Sequence, residues 1–276
     1  MGKKRRPLPA GLSVESLMSS TLLKRPDSPP ARISLTGVAK SFGGRQVLRN
    51  ITLEIPAGRL TFLVGRSGAG KSVLSRCSVG LLRADKGSIR IGGEEITDMS
   101  EAELMKLRHR VPYVIQESAL IDWLTLEENA ALPLSRSPTV SLPRREALAE
   151  ARRILGEVGL CGQENKKPQE ASAGDRKLAA IARALVLSPA AIFYDEPTTG
   201  LDPDAARRVD GLIRRRRDEG ATSVVVSHDL NSIRRIADEV ALLEDGVIAF
   251  HGPAADFLAP DAPNAAVHRF FHQAET

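Results

Sequence analysis

The segment Gly65-Arg66-Ser67-Gly68-Ala69-Gly70-Lys71-Ser72 has the residue types and spacing of a phosphate-binding loop. Glycines let successive backbone N–H groups close around phosphate oxygens where a Cβ would intrude. A helix starting at the end of the loop adds its positive pole. Lys71 supplies a point charge for the β- and γ-phosphates, and the Ser72 hydroxyl suits Mg²⁺. A second group of chemistry-bearing residues stands where the apolar run Ala191-Ile-Phe-Tyr194 meets two acids, Asp195 and Glu196. Asp195 suits the water shell of the metal, and Glu196 suits polarisation of an attacking water. His228 closes a third run, Val224-Val-Val-Ser-His228, at a position fit for a γ-phosphate. His109, His251, His268 and His272 show no metal-ligand spacing and receive no role.

These groups act together only if strand ends bring them to one edge of a sheet. Alternating or continuous apolar runs predict strands at 33–38, 51–55, 60–64, 88–91, 191–194, 223–226 and 240–243. Helical patterns cover 71–82, 100–108, 204–218 and 230–238, and Ser100 and Glu103 form a capping-box pair. The alternation predicts an α/β fold with a parallel sheet between helices. Helical patterns over about 117–172 predict an insert in that sheet domain. The domain is expected over 32–252, with a helical tail over 253–276.

The 276 residues carry a net charge of +5. Residues 1–32 alone hold Lys3, Lys4, Arg5, Arg6, Lys24, Arg25 and Arg32 against Glu15 and Asp27, which accounts for the whole excess. The basic balance therefore belongs to a Pro-rich arm over 1–31, expected to be disordered. A nucleic-acid partner is not expected. The arm reads either as a solvated tail or as a contact with anionic lipid or a partner. Arg214 to Arg217 spread around a helix and read as a solvated face. Two cysteines, Cys77 and Cys161, make neither a disulfide framework nor a four-sulfur zinc site. The longest stretch free of Asp, Glu, Lys and Arg has eleven residues, against about 20 for a spanning helix. No signal-type apolar block follows the basic start, so secretion is not expected.

Taken in order, the motifs resemble the nucleotide-binding subunit of ATP-binding-cassette (ABC) transporters over roughly residues 32–250. The resemblance implies an ABC-type phosphate-loop domain, a RecA-like mixed-sheet core with a helical subdomain. ATP and Mg²⁺ are the implied cofactors. It implies that Phe42 stacks on adenine, that Gly65, Arg66, Ser67, Gly68, Ala69, Gly70, Lys71 and Ser72 hold phosphates, and that Gln116 touches the metal and faces a permease. It further implies that Glu196, His228 and Gln116 serve catalysis and that Ser72, Gln116 and Asp195 serve the metal. Gly200-Leu-Asp202-Pro203 looks like the family's dimer loop. Two cassettes then pair head to tail, and Ser172 and Gly174 of one close the ATP site of the other.

One segment departs from the family pattern. The signature Leu-Ser-Gly-Gly-Gln is here Ala171-Ser172-Ala173-Gly174-Asp175. Ala173 adds a methyl where backbone approaches closely. Asp175 adds a carboxylate near phosphate, unfavourable unless Arg176 or Lys177 offsets it. The change reads either as harmless drift or as a cause of weak hydrolysis, which would make the chain a regulatory cassette.

Gly68-Ala-Gly-Lys-Ser72-Val-Leu74, and the stretch from Glu117 through Asn129 to Pro133-Leu134, look like the lipid-trafficking Mla/Mce branch. That likeness implies phospholipid transport, a membrane permease, a periplasmic MCE-type lipid-binding protein and the cytoplasmic face of a bacterial inner membrane. The alternative is another importer, such as one for amino acids, because cassette cores look alike whatever their cargo. Trp123 reads equally as a permease contact and as packing within the insert.

Overall fold

The computed structural model describes residues 30–136, 141–259 and 264–274. The expected basic arm lies outside them except for Pro30 and Ala31. The chain opens with β1 (Ile33–Phe42), β2 (Arg45–Ile55) and β3 (Leu60–Val64), then α1 (Lys71–Ser78). Next come β4 (Lys86–Ile91), β5 (Glu94–Glu95), α2 (Glu101–Arg110) and β6 (Tyr113–Val114). Helices α3 (Leu126–Arg136), α4 (Arg144–Glu157) and α5 (Ala173–Leu185) follow. The last part runs β7 (Ala191–Asp195), α6 (Pro203–Asp218), β8 (Thr222–Val226), α7 (Leu230–Ile236), β9 (Glu239–Glu244), β10 (Val247–Pro253), α8 (Ala254–Leu258) and α9 (Ala265–Ala274).

A six-stranded sheet has the order β10-β9-β3-β8-β7-β6. Its strands are parallel except for β10, which turns back antiparallel on β9. β3, β7 and β8 are buried at every residue, as strands covered on both faces must be. β8 lies between β3 and β7. The carboxyl ends of these three neighbours therefore bring the phosphate loop, Asp195-Glu196 and His228 to one edge.

The expectation of one parallel sheet is incomplete. β1, β2, β4 and β5 form a separate antiparallel sheet of order β2-β1-β4-β5. Helix α1 lies between the sheets. Its Leu74 and Cys77 pack with Ile33, Leu35 and Ile89 of one and with Leu63, Val224 and Ala241 of the other. Strands β5, β6 and β10 were not read in the sequence, since β10 is half-exposed and the other two have two residues each. Helix α1 also stops at Ser78 instead of reaching 82. Gly80 takes φ +64°, and a Cβ there would lie 2.4 Å from Leu104 Cδ2, so α2 packs over the end of the helix.

A second core joins α3, α4 and α5 to the other face of the six-stranded sheet. The helical packing runs on through α5, past the expected insert end at 172. The Ser100–Glu103 capping box is present at α2. Arg216 and Arg217 pair with Glu157, Glu219, Asp218 and Asp238, so the arginine run is spent on ion pairs.

Candidate nucleotide site

The loop after β3 is shaped by three glycines, Gly65, Gly68 and Gly70, whose φ angles side chains rarely adopt. Gly65 has φ +148°, and a Cβ there would stand 2.2 Å from the Leu243 carbonyl oxygen. Gly70 has φ +104° and leads into α1. That helix begins with no side-chain cap and no acid in its first turn, so its positive pole is left to a ligand. The Lys71 ammonium folds back and donates to Gly65 O at 2.7 Å and Arg66 O at 3.0 Å. Burial pushes its pKa down, against the pull of Glu196 and Asp195.

Ser72 Oγ donates to Asp195 Oδ1 at 3.3 Å. One hydroxyl and one carboxylate are hard oxygen ligands, too few for a stand-alone cation. They fit Mg²⁺ that brings phosphate oxygens and water with it. The Asp195 side chain is only 4% exposed, and its second oxygen is held as well. Tyr113 Oη donates to Oδ2 at 2.6 Å and lies 3.0 Å from Ser75 Oγ. The Tyr113 ring stacks on Phe193 with centroids 6.4 Å apart. Burial pushes its phenol far up, so it stays a neutral donor. The sequence reading missed Tyr113. Its only signal was a hydroxyl on a strand three residues before Gln116, and the pairing Tyr113↔Phe193 makes it meaningful.

Glu196 adopts φ +47°, a strained conformation that costs about 1–3 kcal/mol and recurs at functional sites. The turn carries its carboxylate out of the strand and toward the loop. Glu196 Oε1 lies 3.0 Å from His228 Nδ1, and Thr199 Oγ1 donates to Oε2 at 2.9 Å. A carboxylate fixed on two sides in this way can accept a proton from a water.

A cavity of about 810 Å³ gathers Gly65 to Gly68, Gly70 to Val73, Gln116, Glu196, Thr199 and His228. Ala69 lines its neighbour on the other flank of the loop. Three expected site residues stand elsewhere. Phe42 is 47% exposed, does not line this cavity, and carries the Lys40 ammonium 5.4 Å over its ring. Ser172 caps α5, accepting from Asp175 N at 3.1 Å. Gly174 packs on α6, where a Cβ would meet Ala205 Cβ at 2.8 Å.

The charge offset at the altered signature also differs from expectation. Arg176 donates to Ala171 O, and buried Lys177 donates to the Gln116 carbonyl. Arg208 of α6 pairs with Asp175 at 3.3 Å instead. Burial lowers the Lys177 pKa, and its two acceptors are the carbonyls of Ile115 and Gln116. One ammonium thus ties α5 to the Gln116 loop. Asn129, fully buried, binds backbone of Ile121, Leu124 and Thr125. It shapes the loop that holds Trp123 76% exposed, which excludes packing within the insert for that residue.

A parallel sheet with a phosphate loop after β3, acids at the end of β7 and a histidine after β8 between them defines a nucleoside-triphosphate-binding cassette. Residues 48–199 match the family model described as ABC transporter, and the chain belongs to that family. A methionine import ATP-binding protein, MetN, of Rhizobium johnstonii is 38% identical over 87% of this chain and 66% of its own length. MetN of Brucella abortus is 34% identical over 92% and 69%. A probable ribonucleotide transport ATP-binding protein, mkl, of Mycobacterium leprae is 39% identical over 84% and 66%. The chain spans about two thirds of the length of these curated relatives. Among solved structures, the dimeric post-hydrolysis state of the ATP-binding cassette MJ0796 bound to ADP and Pi aligns with TM-score 0.74 and 30% identity. It covers 80% of this chain and 98% of that one.

Proposed function

We propose that the chain hydrolyses ATP as one half of a head-to-tail cassette pair and powers an importer through a partner membrane permease. The observation that carries this reading is the meeting of Lys71, Ser72, Asp195, Glu196 and His228 at one sheet edge. Lys71 exchanges its loop carbonyls for β- and γ-phosphate oxygens. Ser72, Asp195 and Gln116 would hold Mg²⁺, which would neutralise phosphate charge when bound. Glu196 takes the proton of the attacking water, and His228 orients Glu196 and meets the γ-phosphate. Ser172, exposed at the N-cap of α5, acts on the nucleotide of a second copy, and Gly174, buried against α6, keeps the start of that helix close-packed.

The test replaces Glu196 with Gln. That variant is expected to bind ATP and stay paired, with turnover reduced by roughly a hundredfold or more. Phosphate release and size-exclusion chromatography read the two properties. Normal turnover would remove Glu196 from the base role. A regulatory cassette with weak hydrolysis finds less support, because Arg208 neutralises the carboxylate that motivated it.

The permease surface is read at a groove of about 790 Å³ beside Gln116, where Trp123, Ile115 and Met105 are exposed. Trp123→Ala is expected to uncouple transport while leaving basal ATPase intact. Among the described residues no helix is long and apolar enough to cross a membrane. Docking on a permease would put the chain at the cytoplasmic face of a bacterial inner membrane.

The names of the first relatives favour amino-acid import over the lipid trafficking expected from the sequence. The lipid reading rests on sequence likeness alone, over Gly68 to Leu74 and Glu117 to Leu134. A periplasmic MCE-type partner finds no support in the relatives. Names for methionine and for ribonucleotide stand at 38% and 39% identity, so identity alone does not choose a cargo. Co-purification of the tagged chain with its permease, followed by identification of bound small molecule or lipid, decides between them.

A further inference from the structure

The chain between β6 and α3 carries Gln116 yet has little backbone support of its own. Among the described residues, no backbone-to-backbone hydrogen bond involves residues 116–120. Ala119 stands at φ +44°, a region that side chains rarely adopt. The carbonyls of this stretch are met instead by two cations of α5. Lys177 Nζ donates to the carbonyl of Gln116 and, at 3.4 Å, to that of Ile115. Arg183 Nη1 donates to Ala119 O at 2.8 Å, and its Nη2 to Ser118 O at 3.3 Å.

Lys177 is the costly member of this pair. It is 3% exposed, and both its acceptors are neutral carbonyls rather than a carboxylate. Burial lowers its pKa, with Asp195 pulling the other way. A buried charge with no counter-ion in contact is expensive, and a methionine would fill similar space without that cost. The ammonium supplies what an apolar side chain cannot, a fixed link from α5 to the carbonyl bonded to the Gln116 Cα. Leu178, Ala179 and Ile181 are buried in the core that joins α5 to the sheet, so the link carries the position of that core to the loop.

We propose that Lys177 is a positioning residue for Gln116: its ammonium fixes the loop backbone so that the Gln116 side chain stands in the cavity that also holds Ser72, Glu196 and His228. This rests on the reading above in which Gln116 meets Mg²⁺. Lys177 does not line that cavity and acts only through the loop it holds. A loop without backbone bonds of its own samples many conformers, and a metal ligand carried on it is productive in few of them.

The experiment is a double-mutant cycle in the full chain, read by the Mg²⁺ concentration that half-saturates binding of a fluorescent ATP analogue. Lys177→Met keeps an unbranched stem and removes the charge, and Gln116→Ala removes the group it positions. Lys177→Met is expected to raise the Mg²⁺ requirement roughly tenfold or more, the usual cost of losing a group that orients a metal ligand, with analogue binding in chelator unchanged. In the Gln116→Ala background it is expected to add less than about twofold, since nothing is left to position. In nucleotide-free protein, amides of residues 116–122 should exchange with deuterium faster in Lys177→Met than in the parent. Should Lys177→Met not fold, Lys177→Gln, with a neutral donor on a shorter stem, runs the same cycle and is expected to show the same non-additivity with a smaller rise. An unchanged Mg²⁺ requirement or unchanged exchange overturns the proposal. Equal penalties in the two backgrounds overturn it by making Lys177 a packing residue independent of Gln116, as does an equal loss of analogue binding with and without Mg²⁺. If Gln116→Ala itself leaves the Mg²⁺ requirement unchanged, the metal reading of Gln116 falls and takes this one with it; a Gln116→Ala effect beside a silent Lys177→Met refutes this proposal alone.

Discussion

Tyr113→Phe removes one oxygen and keeps the ring on Phe193. The lost hydroxyl donates at 2.6 Å to Asp195 Oδ2. Because the Asp195 side chain is 4% exposed, solvent does not replace that donor. A hydrogen bond to a charged group contributes about 1.5–3 kcal/mol net. Removing a buried phenol hydroxyl also relieves its own desolvation, so about 1–2 kcal/mol is the working figure. The remaining partners compensate weakly, with Ser72 at 3.3 Å and half-exposed Arg76 at 3.9 Å. In a domain of this size 1 kcal/mol moves Tm by about 2–4 °C, which gives a fall of roughly 2–8 °C in nucleotide-free protein. The same change frees Asp195 to turn away from Ser72. The Mg²⁺ concentration that half-saturates ATP binding is then expected to rise several-fold, with ATP binding in chelator unchanged. Scanning calorimetry reads the first effect and fluorescent-nucleotide titration the second. A Tm within about 1 °C of the parent together with an unchanged Mg²⁺ requirement would falsify the positioning role and leave Tyr113 as filler.

Arg208→Met strips the partner from Asp175 at the face offered to a second copy, and is expected to weaken ATP-driven pairing up to about fivefold, the range of an exposed ion pair. Adding Asp175→Gln should restore it, and equal effects of the single and double variants would make the pair irrelevant. Burial pushes the Cys77 thiol up to about 11, whereas Cys161 is exposed. At pH 8 one thiol should react quickly with an aromatic disulfide and the second only on unfolding; two fast thiols would contradict the buried placement. Glu95 is pushed up by burial, but hydrogen bonds from Ser88, Thr97 and the Ile89 N–H bring it from 4.5 to about 2. Its folded value lies below its unfolded one, so its contribution is complete above 4.5 and lost as pH falls toward 2. Glu95→Gln should therefore lower stability at pH 7 far more than at pH 2, and equal losses in denaturant titrations at the two pH values would refute the linkage.

Some features were legible because backbone geometry is local. A strand running into glycines and then a lysine specifies a phosphate cradle from consecutive residues. The capping box at Ser100 is equally short-range. Other features depend on which strands become neighbours. The antiparallel sheet escaped notice because strands within 33–42, 45–55 and 86–91 were legible but their pairing was not, and β5 is too short to pattern. Phe42 carries the family's aromatic in the expected place, half-exposed with the Lys40 ammonium 5.4 Å over its ring.

What the sequence by itself determined is the kind of chemistry: phosphate binding at 65–72, acids at 195–196, and a histidine at 228, each on a strand end. Tertiary structure alone decided the partners. Tyr113 meets Asp195 across 82 residues, Arg208 meets Asp175 across 33, and Lys177 meets the Gln116 carbonyl across 61. Local spacing encodes what a backbone segment can hold. Sheet order and helix docking, driven by burial of faces that hold no such spacing, determine which side chains stand beside it.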